Sequence, residues 1–314
     1  MFAALPFNEI WAVDFEFNAE PGNRPNPVCM VARELRSGRR LRIWADELGP
    51  QPPFSIGKDS LIVAYYASAE LGCFLVLGWP MPANILDLFA EFRVRTNTTR
   101  RPGVSAALLN AMLMHKLDCI GAAEKDEMRS RISHGGPWSN GERLAILDYC
   151  ETDVDALAKL LPAMLGERPL NLPQALFRGR CMAANAAIEH NGTPIDVPML
   201  ESFRRHWPHV QERLIARIND KYDIWEGKSF REHRFAGYLT ANKIPWPRLE
   251  SGRLDLSEET FRIMSKSYPA ITPIYEVRKD LSKLRLNELA VGSDGRNRCM
   301  LSAFRARNVS RSSI

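Results

Sequence analysis

Residues 61–79 form the most apolar stretch of the chain and limit how it can fold. Glu70 is the only formal charge among these nineteen residues. A stretch of this length could cross a bilayer. However, Glu70 lies near its centre, where a charge is costly in lipid, and two glycines interrupt it. We therefore interpret the stretch as a buried strand followed by a buried helix, and we expect no membrane partner.

Composition is typical of an ordinary globular protein. The chain has 314 residues, of which 45% are hydrophobic and 25% are charged, enough for two domains or one large one. A net charge of +5 permits a polyanionic partner without requiring one. The six cysteines are dispersed and include no Cys-x-x-Cys pair, which favours reduced thiols over disulfides or zinc. The N-terminus lacks signal-peptide features, so we expect a cytoplasmic location of bacterial or phage type.

The first half alternates segments of strand and helix character. Apolar and polar residues alternate in the first strand, and a hairpin with a turn at Gly38 follows it. The predicted strands lie at 11–17, 28–35, 40–44, 61–66 and 85–86, and the predicted helices at 68 onward, 86–92, 105–116 and 141–165. A hairpin followed by alternating strands and helices predicts an α/β fold with a mixed sheet and flanking helices.

The second half is predicted to be mostly helical. Residues 166–173 carry two prolines and a glycine and are the best candidate linker, so we divide the chain into domains 1–168 and 169–314. Helix-start signals then follow at Asp196 with Pro198, at Ser229 with Glu232 as a capping box, and at Ser257.

Two short motifs carry the chemistry. Asp14 and Glu16 point to the same side of the first strand, and Tyr149 and Asp153 share one face of the long helix. Either motif alone is common by chance. Together, three carboxylates and a phenol could hold two divalent cations about 4 Å apart around a phosphodiester. We expect Asp14, Glu16 and Asp153 to bind Mg²⁺ or Mn²⁺, and Tyr149 to orient the attacking water with Glu16.

These motifs resemble those of a known group. The Asp14-Phe15-Glu16 run and the segment Tyr149-Cys150-Glu151-Thr152-Asp153 look like the first and third motifs of the DnaQ-like (DEDD) 3′–5′ exonucleases, in the tyrosine subgroup. The resemblance covers about residues 8–165. It implies a ribonuclease H-like fold and removal of nucleotides from single-stranded DNA 3′ ends.

The second motif departs from that family. Its usual Asn-x-x-Phe-Asp appears here as Tyr66-Ala67-Ser68-Ala69-Glu70. Glu70 retains a carboxylate, and the resemblance implies that it is a catalytic residue and an outer ligand of the second metal. Asp87 follows the strand at 85–86, where relatives have another strand-end acid, and it fits a helix N-cap equally well.

The second half is similar to the thumb of family A (polymerase I-like) DNA polymerases. The resemblance lies in residues 189–196, 275–284 and 294–308, the last leading toward a palm. It implies that basic side chains grip the backbone of a primer–template duplex. The implied contact residues are Arg278, Lys279, Lys283, Arg296, Arg298, Arg305 and Arg307. For the arginine-rich end, a solvated tail is the alternative.

No palm motif occurs before Ile314, so we do not expect polymerisation by this chain alone. A separate palm-and-fingers polypeptide is then a candidate partner. The leading hypothesis is a proofreading 3′–5′ exonuclease. One alternative is an RNA-trimming enzyme of the RNase D kind, against which the thumb-like half argues. The other is a catalytically silent DNA-binding or assembly module, which Glu70 and the missing palm favour.

Overall fold

Three clusters of buried apolar side chains organise the molecule. Two belong to a unit that contains the chain up to Pro194 and the segment beginning at Val291, and the third belongs to residues 195–290. The computed structural model describes residues 2, 5–97, 105–118, 122–283 and 288–301, without the side chains of 122–124 and 283.

The first unit is built on a five-stranded mixed sheet, as the sequence predicts. The strands are β1 (Glu9–Asn18), β2 (Asn26–Glu34), β3 (Arg40–Trp44), β4 (Ser60–Ala64) and β5 (Ile85–Asp87), in the order β3-β2-β1-β4-β5. The pairs β1–β2 and β2–β3 are antiparallel, whereas β1–β4 and β4–β5 are parallel. Because β1 lies in the middle, both of its edges are hydrogen-bonded to neighbouring strands.

The described residues of this unit form the helices α1 (Ser68–Val76), α2 (Leu88–Thr96), α3 (Leu108–Met114), α4 (Ala122–His134), α5 (Asn140–Glu167) and α6 (Leu172–Asn191). Helix α5 packs on one face of the sheet, and α1 and α6 pack on the other. Ser139 begins α5 with a capping box to Glu142. Neither α4 nor α6 was predicted from the sequence.

Helix α6 joins the sheet of the first unit. A Cβ at Gly179 would lie 2.0 Å from the carbonyl oxygen of Ile85, so only glycine permits this close approach to β5. Arg178 also donates to the buried carboxylate of Glu91, with Nε and Oε1 2.5 Å apart. Consequently residues 168–171 connect α5 to α6 inside the first unit, and the two units divide after Pro194 instead of at 168. The exonuclease and thumb assignments of the two predicted domains stay predictions.

The chain returns to the first unit after residue 290. A two-residue strand, β9 (Arg296–Asn297), pairs antiparallel with β6 (Thr193–Pro194). The backbone around Gly292 packs closely against Gly22, so a Cβ on Gly22 would lie 2.6 Å from the Gly292 nitrogen. The segment predicted to lead toward a palm thus packs against the first unit as far as it is described.

The second unit is mostly helical, as predicted. It contains α7 (Val197–Tyr222), a hairpin of β7 (Trp225–Glu226) and β8 (Ser229–Phe230), α8 (Glu232–Ala241), α9 (Glu258–Ser267) and α10 (Thr272–Lys283). Its core includes Phe235, whose ring centroid lies 5.4 Å from that of Phe261. Asp196 and Ser257 cap α7 and α9, which confirms two predicted helix starts.

The predicted capping box at Ser229 and Glu232 is wrong. Ser229 pairs with Glu226 in the β7–β8 hairpin, and Arg231 is the residue that precedes α8. The Glu232 carboxylate instead accepts hydrogen bonds from Arg253 and from the backbone N–H of Leu254. Ser229 lies in the hairpin instead of capping α8 because the rings of Trp225 and Phe230, one on each strand of the hairpin, pack together.

The apolar stretch 61–79 is the buried strand β4 followed by α1, as interpreted from the sequence. Among the residues that the structure describes, no helix is long and apolar enough to cross a membrane.

Candidate metal centre

Asp14 and Glu16 lie on the face of β1 that packs against α5. Their neighbours on β1 show the alternation: Ala12 belongs to the cluster under α5, whereas Val13 belongs to the opposite cluster. One ligand atom from each of Asp14, Glu16 and Cys150 lies within 4.8 Å of the other two. The two predicted acids of the first strand therefore come together beside the long helix.

Cys150 is a member of this group that the sequence analysis did not single out. Its thiol donates to Asp14, with Sγ 3.3 Å from Oδ2 and 3.4 Å from the carbonyl oxygen. Burial raises the pKa of the Cys150 thiol well above its usual value. It is thus a neutral hydrogen-bond donor instead of a thiolate ligand. Cys150 directly follows Tyr149 on α5, and this position is the sequence signal that could have identified it.

Glu70 joins the acids from the other side of β1. It is almost completely buried on α1, and its Oε2 accepts the backbone N–H of Phe15 at 2.7 Å. This N–H belongs to the residue between Asp14 and Glu16, so the bond links the second predicted motif to the first. Glu70 also interacts electrostatically with Asp14, Glu16 and Asp153.

The carboxylates raise one another's pKa values. Burial, and then repulsion by Asp153, raises the pKa of Asp14 to about 8. Burial and the charge of Asp14 raise the pKa values of Glu16 and Glu70 well above their usual range. A divalent cation would offset this repulsion, and carboxylate oxygens are the ligands that Mg²⁺ and Mn²⁺ prefer. The donor set therefore fits a hard cation.

Tyr149 is mostly buried on α5 beside the acids. Burial and then Asp153 raise its pKa above the usual value, so its phenol stays protonated and can donate a hydrogen bond. Tyr149 and Asp153 lie four residues apart on α5, and both interact electrostatically with Asp14. The sequence-predicted phenol and acids are therefore brought together.

Asp153 already has a partner, which the sequence analysis missed. Lys125 of α4 donates from Nζ to Asp153 Oδ1, and its ammonium lies 6.0 Å from the centroid of the Tyr149 ring. Lys125 is 7% exposed. The sequence of α4 is polar and has no apolar stripe. For this reason neither the helix nor its lysine was predicted.

A cavity of about 290 Å³ opens beside Asp153 between α3, α4 and α5. Its walls are apolar on the α3 side and charged on the side of α4 and α5. The lining residues are Leu108, Leu109, Met112, Asp118, Lys125, Thr152, Asp153, Asp155, Ala156 and Lys159. Its volume is near the lower end of small-ligand sites.

Asp87 was interpreted from the sequence either as a strand-end acid of the site or as a helix N-cap. In the structure it is the N-cap of α2. Its buried carboxylate accepts four backbone N–H groups, two that begin α2 and two that shape the turn between β4 and α1. The donors are Tyr66, Ala67, Phe89 and Ala90. Asp87 thereby helps to hold the turn that leads to Glu70 on α1.

The basic residues near the chain end make internal contacts. Arg298 donates to the carbonyl oxygens of His190 and Gly22 and pairs with Asp294 through both terminal nitrogens. Arg296 donates to two carbonyl groups at the end of α6. Arg305 and Arg307 lie outside the described residues.

The basic residues of α10 also contact their own unit. The Arg278 guanidinium lies 4.4 Å from the ring centroids of both Phe230 and Phe261, and it donates to the carbonyl oxygen of Leu256. Lys279 lies 5.8 Å from the ring of Tyr275. The side chain of Lys283 is outside the described part. DNA contact by any of these residues stays a prediction.

Comparisons with known proteins identify no family. No protein-family model matches the sequence, and no curated protein matches it. A solved structure of the "POL domain of Pol1 from M. smegmatis complex with DNA primer-template and dNTP" is 14% identical with a TM-score of 0.52. The match covers 95% of this chain and 50% of that chain, so this chain spans half the length of the polymerase chain it resembles. At this identity the likeness shows a shared fold.

A second solved structure, "apo form of the nuclease", is 16% identical with a TM-score of 0.44. It covers 58% of this chain and 85% of that one. A similarity at this TM-score supports no inference about fold or function.

Proposed function

We propose that this protein is a metal-dependent 3′–5′ exonuclease of the proofreading type, with a ribonuclease H-like first unit. The observation that supports it most is the convergence of four acids and a phenol from three elements. Asp14 and Glu16 come from β1, Glu70 from α1, and Tyr149 and Asp153 from α5. Acids crowded together in a buried position are costly unless they serve a bound cation.

The proposed metal ligands are Asp14, Glu16 and Asp153, with Glu70 as an outer ligand of a second cation. When bound, Mg²⁺ or Mn²⁺ would supply a water of lowered pKa and charge at the leaving oxygen. Tyr149, kept protonated by its surroundings, would donate a hydrogen bond that orients the attacking water. Glu16, whose pKa is raised, suits the acceptor of that water's proton.

The substrate that we propose is a single-stranded DNA 3′ end. The fold likeness to a Pol1 POL domain, whose structure contains primer-template DNA, supports a polymerase-associated role for the chain. In this proposal the helical unit, residues 195–290, serves as the thumb-like grip on duplex DNA. Such backbone contacts are salt-sensitive and blind to sequence.

The Lys125–Asp153 ion pair favours a second candidate, a catalytically silent DNA-binding module. An ammonium on the carboxylate that should hold a metal would keep that metal out if the pair were permanent. The two candidates differ in whether DNA is shortened after it binds.

The test uses single strands of DNA and RNA of the same sequence, labelled at the 5′ end, with Mg²⁺ or Mn²⁺. Stepwise shortening of DNA is expected, with loss of more than about a hundredfold in rate for Asp14→Ala and in EDTA. Asp220→Ala, an exposed acid of α7, is the matched control and should leave the rate unchanged.

Each other outcome selects an alternative. DNA binding without shortening in either metal would reject the exonuclease and support the silent module. Faster shortening of RNA than of DNA would favour the RNase D-like alternative. Shortening that persists in Asp14→Ala would place the active site elsewhere.

A further inference from the structure

Lys125 is a buried cation inside the group of acids. Its side chain is 9% exposed and that of Asp153 is 15% exposed, so the ion pair between them is largely shielded from water. We propose that Lys125 is an internal counter-ion that competes with the divalent metal for Asp153. The proposal rests on the metal site of the proposed function and adds a residue that sets the affinity of that site for metal.

The competition follows from charge and geometry. Lys125 Nζ donates to Oδ1 of Asp153, which is one of the oxygens that a metal would take. An ammonium and a divalent cation repel each other strongly at such short separation in a partly buried site. A metal that is coordinated by Asp153 must therefore displace the ammonium or accept a weaker bond.

The structure provides room for that displacement. Lys125 and Asp153 both line the cavity of about 290 Å³ between α3, α4 and α5. The same cavity is lined by the exposed acid Asp118, which could receive the ammonium after it leaves Asp153. The lysine side chain has a flexible four-carbon stem, so it can move without a shift of α4.

A matched residue on the same helix allows a sharp control. Arg129 lies one turn after Lys125 and acts on Asp14, Glu16 and Tyr149 through space. It is exposed on the surface, whereas Lys125 is buried against Asp153. Loss of Arg129 removes a positive charge near the acids without removing the ion pair to Asp153.

The experiment measures the dissociation constant of Mn²⁺ by electron paramagnetic resonance, without nucleic acid. Four proteins form a double-mutant cycle: wild type, Lys125→Met, Asp153→Asn and the variant with both changes. Lys125→Met should tighten Mn²⁺ binding roughly tenfold when Asp153 is present and less than about twofold when it is Asn. Arg129→Met should change the constant less than about twofold.

Several results would overturn the proposal. Weaker Mn²⁺ binding by Lys125→Met would mean that the lysine positions Asp153 for the metal. Equal tightening in the Asp153→Asn background, or by Arg129→Met, would indicate a diffuse charge effect. An unchanged constant would show that the pair is only structural.

Two further measurements keep the outcomes separable. If Lys125→Met does not fold because Asp153 is left unpaired, Lys125→Gln removes the charge but retains a hydrogen-bond donor, and the same tightening is expected. If the Mn²⁺ cycle shows the expected coupling between Lys125 and Asp153 but DNA is not shortened, the exonuclease proposal is rejected and the role of Lys125 is retained. No Mn²⁺ binding by any of the proteins would reject both the metal site and the role of Lys125.

Discussion

Both faces of the five-stranded sheet bury apolar side chains, but the face of β1 toward α5 also carries acids. On the face covered by α1 and α6, β1 contributes Trp11, Val13 and Phe15, and the rings of Phe15 and Phe74 meet at 6.0 Å. On the face covered by α5, the same strand contributes Asp14 and Glu16. Apolar burial therefore stabilises the unit on both faces, whereas the acids on the face toward α5 are electrostatically unfavourable until a cation binds.

This difference separates residues that hold the fold from residues that do chemistry. Aromatic burial is favourable in any buffer. The acids, by contrast, interact unfavourably with one another, and their cost depends on pH and on metal. Loss of a buried aromatic side chain and loss of one of these acids should consequently have opposite effects on stability.

The largest expected effect is on the aromatic face. Phe74 is fully buried and packs against the rings of Phe15 and Trp79. Phe74→Ala should reduce the free energy of unfolding by about 3–5 kcal/mol, because it leaves a cavity as well as losing apolar burial. Denaturant titration followed by circular dichroism measures the loss. Leu144→Ala, at an exposed leucine of α5, is the control and should cost less than about 1 kcal/mol.

The next effect tests the contact of α6 with the same face. Gly179→Ala places a methyl group within 2.0 Å of the Ile85 carbonyl oxygen, so α6 must shift away from β5. A loss of about 1–3 kcal/mol in unfolding free energy is expected. Gly237→Ala, in α8 with open space around its Cβ, should be neutral or slightly stabilising. Equal effects of the two substitutions would contradict the close approach.

A smaller change of opposite sign is expected on the acidic face. Asp14→Asn removes a charge that burial and Asp153 disfavour, so the metal-free variant should melt about 2–4 °C higher than wild type at pH 8.5. Added Mn²⁺ should raise the melting temperature of wild type more than that of the variant. A lower melting temperature of the variant in EDTA would show that the Asp14 carboxylate is a stabilising group.

The same carboxylate should also appear in the pH dependence of metal-free wild type. The pKa of Asp14 is raised from 3.8 to about 8, so the folded state retains a proton that the unfolded chain releases. The contribution of this proton to the free energy of unfolding is fully present below pH 3.8 and is lost as pH rises toward 8. The loss between pH 5 and 8.5 should shrink in Asp14→Asn. An identical pH profile for both proteins would contradict the raised pKa.

Much of the fold could be predicted because its signals are local. Alternation along β1, the glycine turn of the hairpin and the apolar run of β4 each depend on neighbouring residues, and all three elements are present. Helix α6 was missed because its start lies in the proline-bearing segment 166–173, which was interpreted as a linker. Proline is common in the first turn of a helix, so the same residues fit both interpretations.

The charged residues show where such prediction ends. Asp14 with Glu16, and Tyr149 with Asp153, converge because the period of a strand or helix sets their common direction. Nothing local indicated that Lys125 would meet Asp153, which is 28 residues away. Similarly, the sequence shows Arg298 as a basic residue near the chain end, yet its guanidinium donates a hydrogen bond to the carbonyl oxygen of Gly22.

The sequence by itself therefore determined the strands of the sheet, the long helix α5 and the side of each on which its acids lie. Only the tertiary structure decided which partners those acids have: Cys150 on Asp14, the Phe15 N–H on Glu70, and Lys125 on Asp153. The physical reason is that backbone periodicity is set by nearest neighbours, whereas the partner of a side chain depends on which distant segment packs beside it.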